Sequence, residues 1–199
     1  MFKPSIISLI VIIFIYKICF GNVNKERIIK YLQDFRSLNA EFIQINNNGG
    51  VLSGKILINR PGKARIEYNE IPMLMISDGK RFATINKELK SIAFYNLADI
   101  PVNLFLYKNF KKKNIEVIST EDFENQLKIK IKNNENNQGF VEIIFEKKPF
   151  VMKKWIIFQD DGQKKTQVLL NNLLLNKKNI STKFNIDNED PRPTVLRNF

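Results

Sequence analysis

The chain is 199 residues long, 44% of them hydrophobic, with 32 Lys and Arg against 20 Asp and Glu for a formal charge of +12. It contains no histidine and a single cysteine, Cys19. Those counts exclude a Ser-His-Asp triad, a Cys-His dyad and any histidine-ligated metal, and the length suits one domain, or one domain plus a targeting segment.

The positive charge is spread along the chain and is not gathered into a basic cluster interleaved with aromatics, which argues against nucleic acid as a partner. An anionic membrane surface, an acidic partner and a plain compositional bias toward Lys, Ile and Asn are all compatible with it.

At the start, Lys3 precedes an apolar run, Ser5–Tyr16, that falls short of the roughly 20 residues needed to cross a bilayer. With Cys19-Phe20-Gly21 behind it, the run has the pattern of a secretory signal cut after Gly21. Residues 1–21 are therefore expected to be a signal peptide and residues 22–199 a single domain; an uncleaved anchor is the alternative. A lipoprotein signal would need a small residue before Cys19, and Ile18 stands there. Cleavage would leave no cysteine, so the core would hold the fold without a disulfide.

Asn24 can cap a helix over Lys25 to about Leu38. Ile28, Ile29, Leu32 and Phe35 recur at helical spacing, and Lys25, Glu26, Lys30, Gln33, Asp34 and Arg36 take the other side. Such a helix either covers a sheet or plugs an apolar concavity. Asn39–Ile45 then reads as a strand and Asn46–Gly50 as a hairpin loop. From Gly50 to Arg81 three apolar runs, Ser53–Asn59, Lys63–Tyr68 and Met73–Ser77, are punctuated by Arg60-Pro61-Gly62, Asn69–Pro72 and Asp78-Gly79, as in a meander. In the second run Ala64, Ile66 and Tyr68 alternate with Lys63, Arg65 and Glu67. Ile56, Ile58 and Arg60 share a face, and a cation on an apolar face needs acceptors, because burying an unpaired charge is costly.

Arg81–Asn86 and Ser91–Tyr95 form another hairpin. Pro101–Phe110 is too aliphatic for an exposed loop, and Pro101 suits a helix's first turn, so a short apolar helix is expected there. Lys111–Lys113 reads as a solvated face. Glu116–Ile118, Gln126–Lys132, Phe140–Glu146, Lys153–Gln159, Lys165–Asn171 and Ser181–Ile186 are expected strands. Leu127, Ile129 and Ile131 alternate with Lys128, Lys130 and Lys132, and Val141, Ile143 and Phe145 with Glu142 and Glu146, so lysines can stand opposite glutamates on a wet face. Trp155 and Ile157 share a face. Residues 187–199 are polar, contain proline and read as an extended tail.

A single sheet of that many hairpin-linked strands must curl, close or split. The economical fold is mainly β: an incomplete, half-open antiparallel barrel of about ten or eleven strands with helices covering its mouth. A sandwich is the alternative.

The order of these signals resembles the LolA-type outer-membrane lipoprotein carriers of Gram-negative bacteria. The resemblance rests on Phe42-x-Gln44 after the first helix, Gly54-x-Ile56-x-Ile58-x-Arg60-Pro61-Gly62, Arg65-Ile66-Glu67-Tyr68 and Ile76-Ser77-Asp78-Gly79. It continues through the Pro101–Leu106 segment and Trp155 followed by Asp160, Gly162 and Thr166, and so covers residues 25–186. What it implies is a half-open barrel under helical lids, located in the periplasm. Such a protein accepts lipoproteins released by an inner-membrane ABC transporter and hands them to an outer-membrane lipoprotein receptor, as a monomer with no enzymatic activity and no cofactor. In the family, the arginine matching Arg60 hydrogen-bonds to lid backbone and holds the empty cavity shut; on its residues alone, Arg60 is better read as stapling the Pro61-Gly62 turn, and the resemblance reverses that preference.

The acyl-chain cavity is then expected from Ile28, Leu32, Phe35, Phe42, Ile56, Ile58, Ala64, Ile66, Tyr68, Leu104, Leu106, Leu127, Ile129, Val141, Ile143, Phe145, Trp155 and Ile157. Ala64 departs from the best-known members, where a bulkier apolar residue can stand, which bears on the cavity's size. Two other readings are open: a periplasmic lipid-binding or envelope-stress-sensing module of the same fold, and a carboxylate-based hydrolase using Asp78 with Asp160 or Asp161. The hydrolase is the weaker, since these aspartates sit in glycine turns where Asp is expected for backbone reasons.

Overall fold

Short alternating runs between glycine and proline turns fold here into consecutive hairpins. A computed structural model describes residues 23–97, 100, 103, 105–107, 115–133, 139–159, 162–177 and 181–193. The expected signal peptide, Pro101, Leu104, Lys111–Lys113, Asp160, Asp161 and residues 194–199 lie outside the described residues.

Among the described residues there are eleven strands. They are β1 (Ser37–Ile45), β2 (Val51–Asn59), β3 (Lys63–Tyr68), β4 (Met73–Asp78), β5 (Phe82–Asn86), β6 (Ser91–Tyr95), β7 (Ile115–Asp122), β8 (Gln126–Asn133), β9 (Phe140–Lys147), β10 (Phe150–Gln159) and β11 (Lys164–Leu175). They form one antiparallel sheet in the order β6-β5-β4-β3-β2-β1-β11-β10-β9-β8-β7. Every pairing is between sequence neighbours except β1 with β11. The sheet is not closed: β6 and β7 are its edges, and the protein is a mainly β, incomplete antiparallel barrel. Lys130 stands opposite Glu142 as the alternation predicts, whereas Lys128 faces Ile144 and pairs instead with Glu121 of β7 at 2.9 Å.

One glycine shows how tightly the strands are drawn over the core. Gly54 of β2 lies opposite Phe42 and Tyr68, and a Cβ there would stand 2.0 Å from the Glu67 carbonyl oxygen and 2.8 Å from the Phe42 ring. A glycine inside a strand marks such a close approach.

The helix α1 spans 23–34 and ends before Leu38, contrary to the expected boundary. Leu38 continues the helical period, but Ser37–Ile45 pairs with β2 on one side and β11 on the other, and two ladders of hydrogen bonds outweigh one more helical turn. Asn24 is inside the helix and is not its cap; its Nδ2 donates to Asp122 Oδ2 at 2.7 Å. Ile28, Ile29, Leu32 and Phe35 are buried, as the periodicity predicts, in the core formed with the concave face of the sheet. Tyr31 packs edge-on against Phe145 and Phe150, placing the helix over β9 and β10.

Residues 181–186 are not a strand. β11, the strand before them, already has a partner on each side, so they cannot extend the meander by pairing with it. They form a 3-10 turn (Ser181–Phe184) and enter a single helical turn, α2 (Ile186–Glu189), capped by the Asn185 side chain, which accepts from the amides of Asp187 and Asn188. Residues 187–193 are likewise no extended tail. Ile186 is fully buried in a small second core with Leu74, Ile76, Ala83 and Ile85, on the convex side of β4 and β5. Arg65 pairs with Glu189 at 2.8 Å and Arg81 with Asp187 at 3.0 Å, tying this strap to β3 and to the β4–β5 turn.

Candidate functional site

Side chains that alternate onto the concave face leave an apolar cavity of about 230 Å³ beside α1. Its wall is made by Phe42, Gln44, Ile56, Ile58, Ala64, Ile66, Tyr68, Met75, Phe82, Ile100, Phe105, Leu106, Trp155, Ile157, Gln159, Thr166 and Val168. Of the residues expected to line a cavity, Phe42, Ile56, Ile58, Ala64, Ile66, Tyr68, Leu106, Trp155 and Ile157 are brought together here. Ile28, Leu32, Phe35, Leu127, Ile129, Val141, Ile143 and Phe145 are not on its wall; they are buried in the core that α1 completes. The concavity is thus divided. The part over β8, β9 and the start of β10 is plugged by the helix, and the part over β1–β5, β11 and the end of β10 is left open. Alternation identifies the inward face of a strand but not which stretch of that face a helix will cover, and this is why the five strand residues among them looked equivalent to the others; Ile28, Leu32 and Phe35 are on the side of the helix segment that does the covering.

Met75, Phe82, Ile100, Phe105, Gln159, Thr166 and Val168 line the cavity without having been singled out for it. Phe105 lies within the segment flagged for its aliphatic density, and Val168 stands opposite Trp155 in the register of β10 and β11. The polar side chains gather at one end, where Tyr68 OH donates to Gln44 Oε1 at 3.1 Å and Gln44 Nε2 donates to Asn46 Oδ1 at 2.7 Å. Burial pushes the Tyr68 phenol above its ordinary value, against the smaller opposing effect of the Gln44 bond.

The other end is held by Arg60. Its Nε donates to the Phe105 carbonyl at 2.7 Å, and its Nη1 to the carbonyls of Leu32 at 2.6 Å and Phe35 at 3.1 Å. Its guanidinium also lies over the Phe35 ring, 3.5 Å from the centroid. Leu32 and Phe35 end α1, where carbonyls have no helical partner and the helix dipole favours a cation. The guanidinium therefore satisfies acceptors that the helix leaves open. Backbone bonds reinforce the knot: Arg60 N donates to the Arg36 carbonyl and Gly62 N to the Leu106 carbonyl, each at 2.8 Å. Burial pulls Arg60 down to about 10 from its ordinary value, and it remains a cation at neutral pH. The segment that supplies Phe105 was expected to be a short helix; its described residues 103 and 105 are 3-10 helical, with Asn103 N donating to the Ile100 carbonyl and Leu106 N to the Asn103 carbonyl.

Two buried donors have no partner among the described residues, Arg60 Nη2 and Trp155 Nε1. Asp78 accepts from the amides of Lys80 and Arg81, each at 2.8 Å, and from Arg81 Nε at 2.9 Å, so its carboxylate is committed to its turn. Among the described residues, no group of three or more His, Cys, Asp or Glu is placed to hold a metal ion.

An open antiparallel barrel with an apolar cavity on its concave face, and a buried arginine bonded to the backbone of two neighbouring segments, is the architecture of this protein. Residues 33–187 match the family model of the outer membrane lipoprotein carrier protein LolA, and the chain belongs to that family. No curated protein sequence matches it. Among solved structures, it is similar to a DUF1329 family protein from Desulfovibrio piger (TM-score 0.50, 9% identity, covering 80% of this chain and 94% of that one). It is also similar to a domain from Vibrio parahaemolyticus assigned to outer-membrane lipoprotein sorting (TM-score 0.49, 12% identity, 86% and 98% covered). A third is a LolA superfamily protein from Nitrosomonas europaea (TM-score 0.44, 9% identity, 78% and 92% covered). At such identities the likeness is one of fold.

Proposed function

We propose that the chain is a periplasmic carrier that shelters the acyl chains of lipoproteins released from the inner membrane and delivers them to a receptor at the outer membrane. It works by binding and release, without catalysis, as a monomer between a lipoprotein-releasing ABC transporter and that receptor. Membership of the LolA family supports the class of cargo. The observation that carries the reading is an apolar cavity whose arginine, Arg60, grips backbone from both elements lying over it.

Each methylene taken out of water contributes about 0.8 kcal/mol, so an apolar wall with few polar groups suits acyl chains. The cavity, about 230 Å³, is smaller than the roughly 300–1,000 Å³ of ordinary ligand pockets, so a lipid anchor has to move a lid aside. The Phe105 segment is the easier one to move. Its described residues bury only Asn103, Phe105 and Leu106, whereas α1 and Phe35 just after it bury four large apolar side chains, each contributing about 1.5–3 kcal/mol. Arg60 is then a latch. Its bond to the Phe105 carbonyl breaks as the chain enters, and re-forming it favours release, which gives the graded affinity a carrier requires.

The Arg60→Leu protein is expected to bind lipoprotein and fail to pass it on to the receptor; normal transfer by this variant refutes the latch. Mass spectrometry of whatever copurifies with the protein from its own periplasm tests the carrier reading. Acylated protein is the expected finding, and free lipid or an unacylated protein partner in its place would overturn it.

A further inference from the structure

Among the described residues, the cavity wall carries a buried donor that has no partner. Trp155 is 3% exposed, and its Nε1 has no hydrogen-bond partner among the described residues. Buried donors in folded proteins are almost always paired. Nothing among the described residues accepts from it, so the indole N–H can take an acceptor that a ligand brings in. The other orphaned donor, Arg60 Nη2, belongs to a residue that is not on the cavity wall, whereas Trp155 is.

An acyl chain differs from an alkyl chain in one respect, the carbonyl at its head. We propose that the indole N–H of Trp155 binds that carbonyl, so that the cavity selects ester-linked acyl chains over alkyl chains of equal length. The inference rests on the reading that acyl chains occupy the cavity. Its position agrees with the way the site opens. The Phe105 ring lies 4.9 Å from Trp155, and the Phe105 carbonyl is the one that Arg60 Nε holds at 2.7 Å. Displacing the Phe105 segment therefore bares the indole at the moment the latch is released. The carbonyl takes up the orphaned donor there, while the chain's tail runs along Ile56, Ile66 and Tyr68.

The test compares 1,2-dioctanoylglycerol, whose two chains are ester-linked, with its 1,2-dioctyl ether analogue, by calorimetric titration of the whole protein. Wild type is expected to bind the ester roughly three- to ten-fold more tightly, the range one net hydrogen bond provides. Trp155→Phe is expected to bind both equally. The chain has a single tryptophan, so its one indole N–H resonance reports directly: it is expected to move downfield with the ester and not with the ether. Equal affinity of wild type for the two lipids, with an unmoved indole resonance, overturns the inference and leaves the acyl cavity standing. Failure of wild type to bind either lipid overturns both. Should Trp155→Phe not fold, the wild-type ratio and the resonance decide.

Discussion

Arg60 reaches two elements that are far from it in sequence, α1 through Leu32 and Phe35 and the lid segment through Phe105. Lysine has a single ammonium and no planar fork, so Arg60→Lys cannot hold both elements at once. It is expected to lose about 1–3 kcal/mol in urea unfolding, with amide exchange of Phe105 and Leu106 accelerating more than that of α1. Gly62 beside it has φ +74°, and a Cβ there would stand 2.7 Å from the Gly79 Cα; Gly62→Ala is expected to cost about 1–3 kcal/mol in the same measurement. Much of this was legible. Period-two counting puts Arg60 on an apolar face and so demands acceptors, and Pro61-Gly62 announces the turn. The identity of the acceptors was not legible, because backbone carbonyls carry no sequence signature and their availability depends on where α1 stops.

Among the elements, the strap of residues 181–193 and the lid segment do opposite work. The strap is pinned on the convex face by Ile186 and by the pairs of Arg65 and Arg81 with Glu189 and Asp187. Ile186→Ala is expected to destabilise the protein by about 2–4 kcal/mol in urea while lipid affinity is retained, since no strap residue lines the cavity. The same face sets the acid limit. Burial alone would push the carboxyls of Glu67 and Asp78 up; the Arg65 bond to Glu67, and the Arg81 and Lys80 amides at Asp78, hold both below the ordinary range. Their stabilisation is full above the unfolded values near pH 4 and is lost as the pH falls through the lower folded values. The urea midpoint is therefore expected to drop from about pH 4 downward, and Glu67→Gln to flatten part of that slope. The strands of the two hairpin arms were readable from alternation and turns. The strap was not, because STKFNI alternates much as an edge strand does, and only the pairing of β11 on both sides shows that it cannot continue the meander beside that strand.

At the scale of the molecule, the number of strands followed from counting runs between turns, and an incompletely closed barrel was the economical reading of that number; which strands would form the open edges was not readable, since that depends on tilt and stagger summed over the whole sheet. Hydrogen exchange separates the two outcomes: amides of β1 and β11, at the centre of the sheet, are expected to exchange slowest and those of β6 and β7 fastest. Equal protection of β6 and β1 would mean that the barrel closes in solution. The two edges are nonetheless joined by the chain itself, because the segment between Tyr95 at the end of β6 and Ile115 at the start of β7 is their covalent link. That same segment carries Phe105, the residue gripped by Arg60. The arrangement is that of a bow and its string. The string is tied at its ends to the two unpaired edges and held at Phe105 by Arg60, so a movement of one edge relative to the other moves its anchor points and leaves the rungs between neighbouring strands in place.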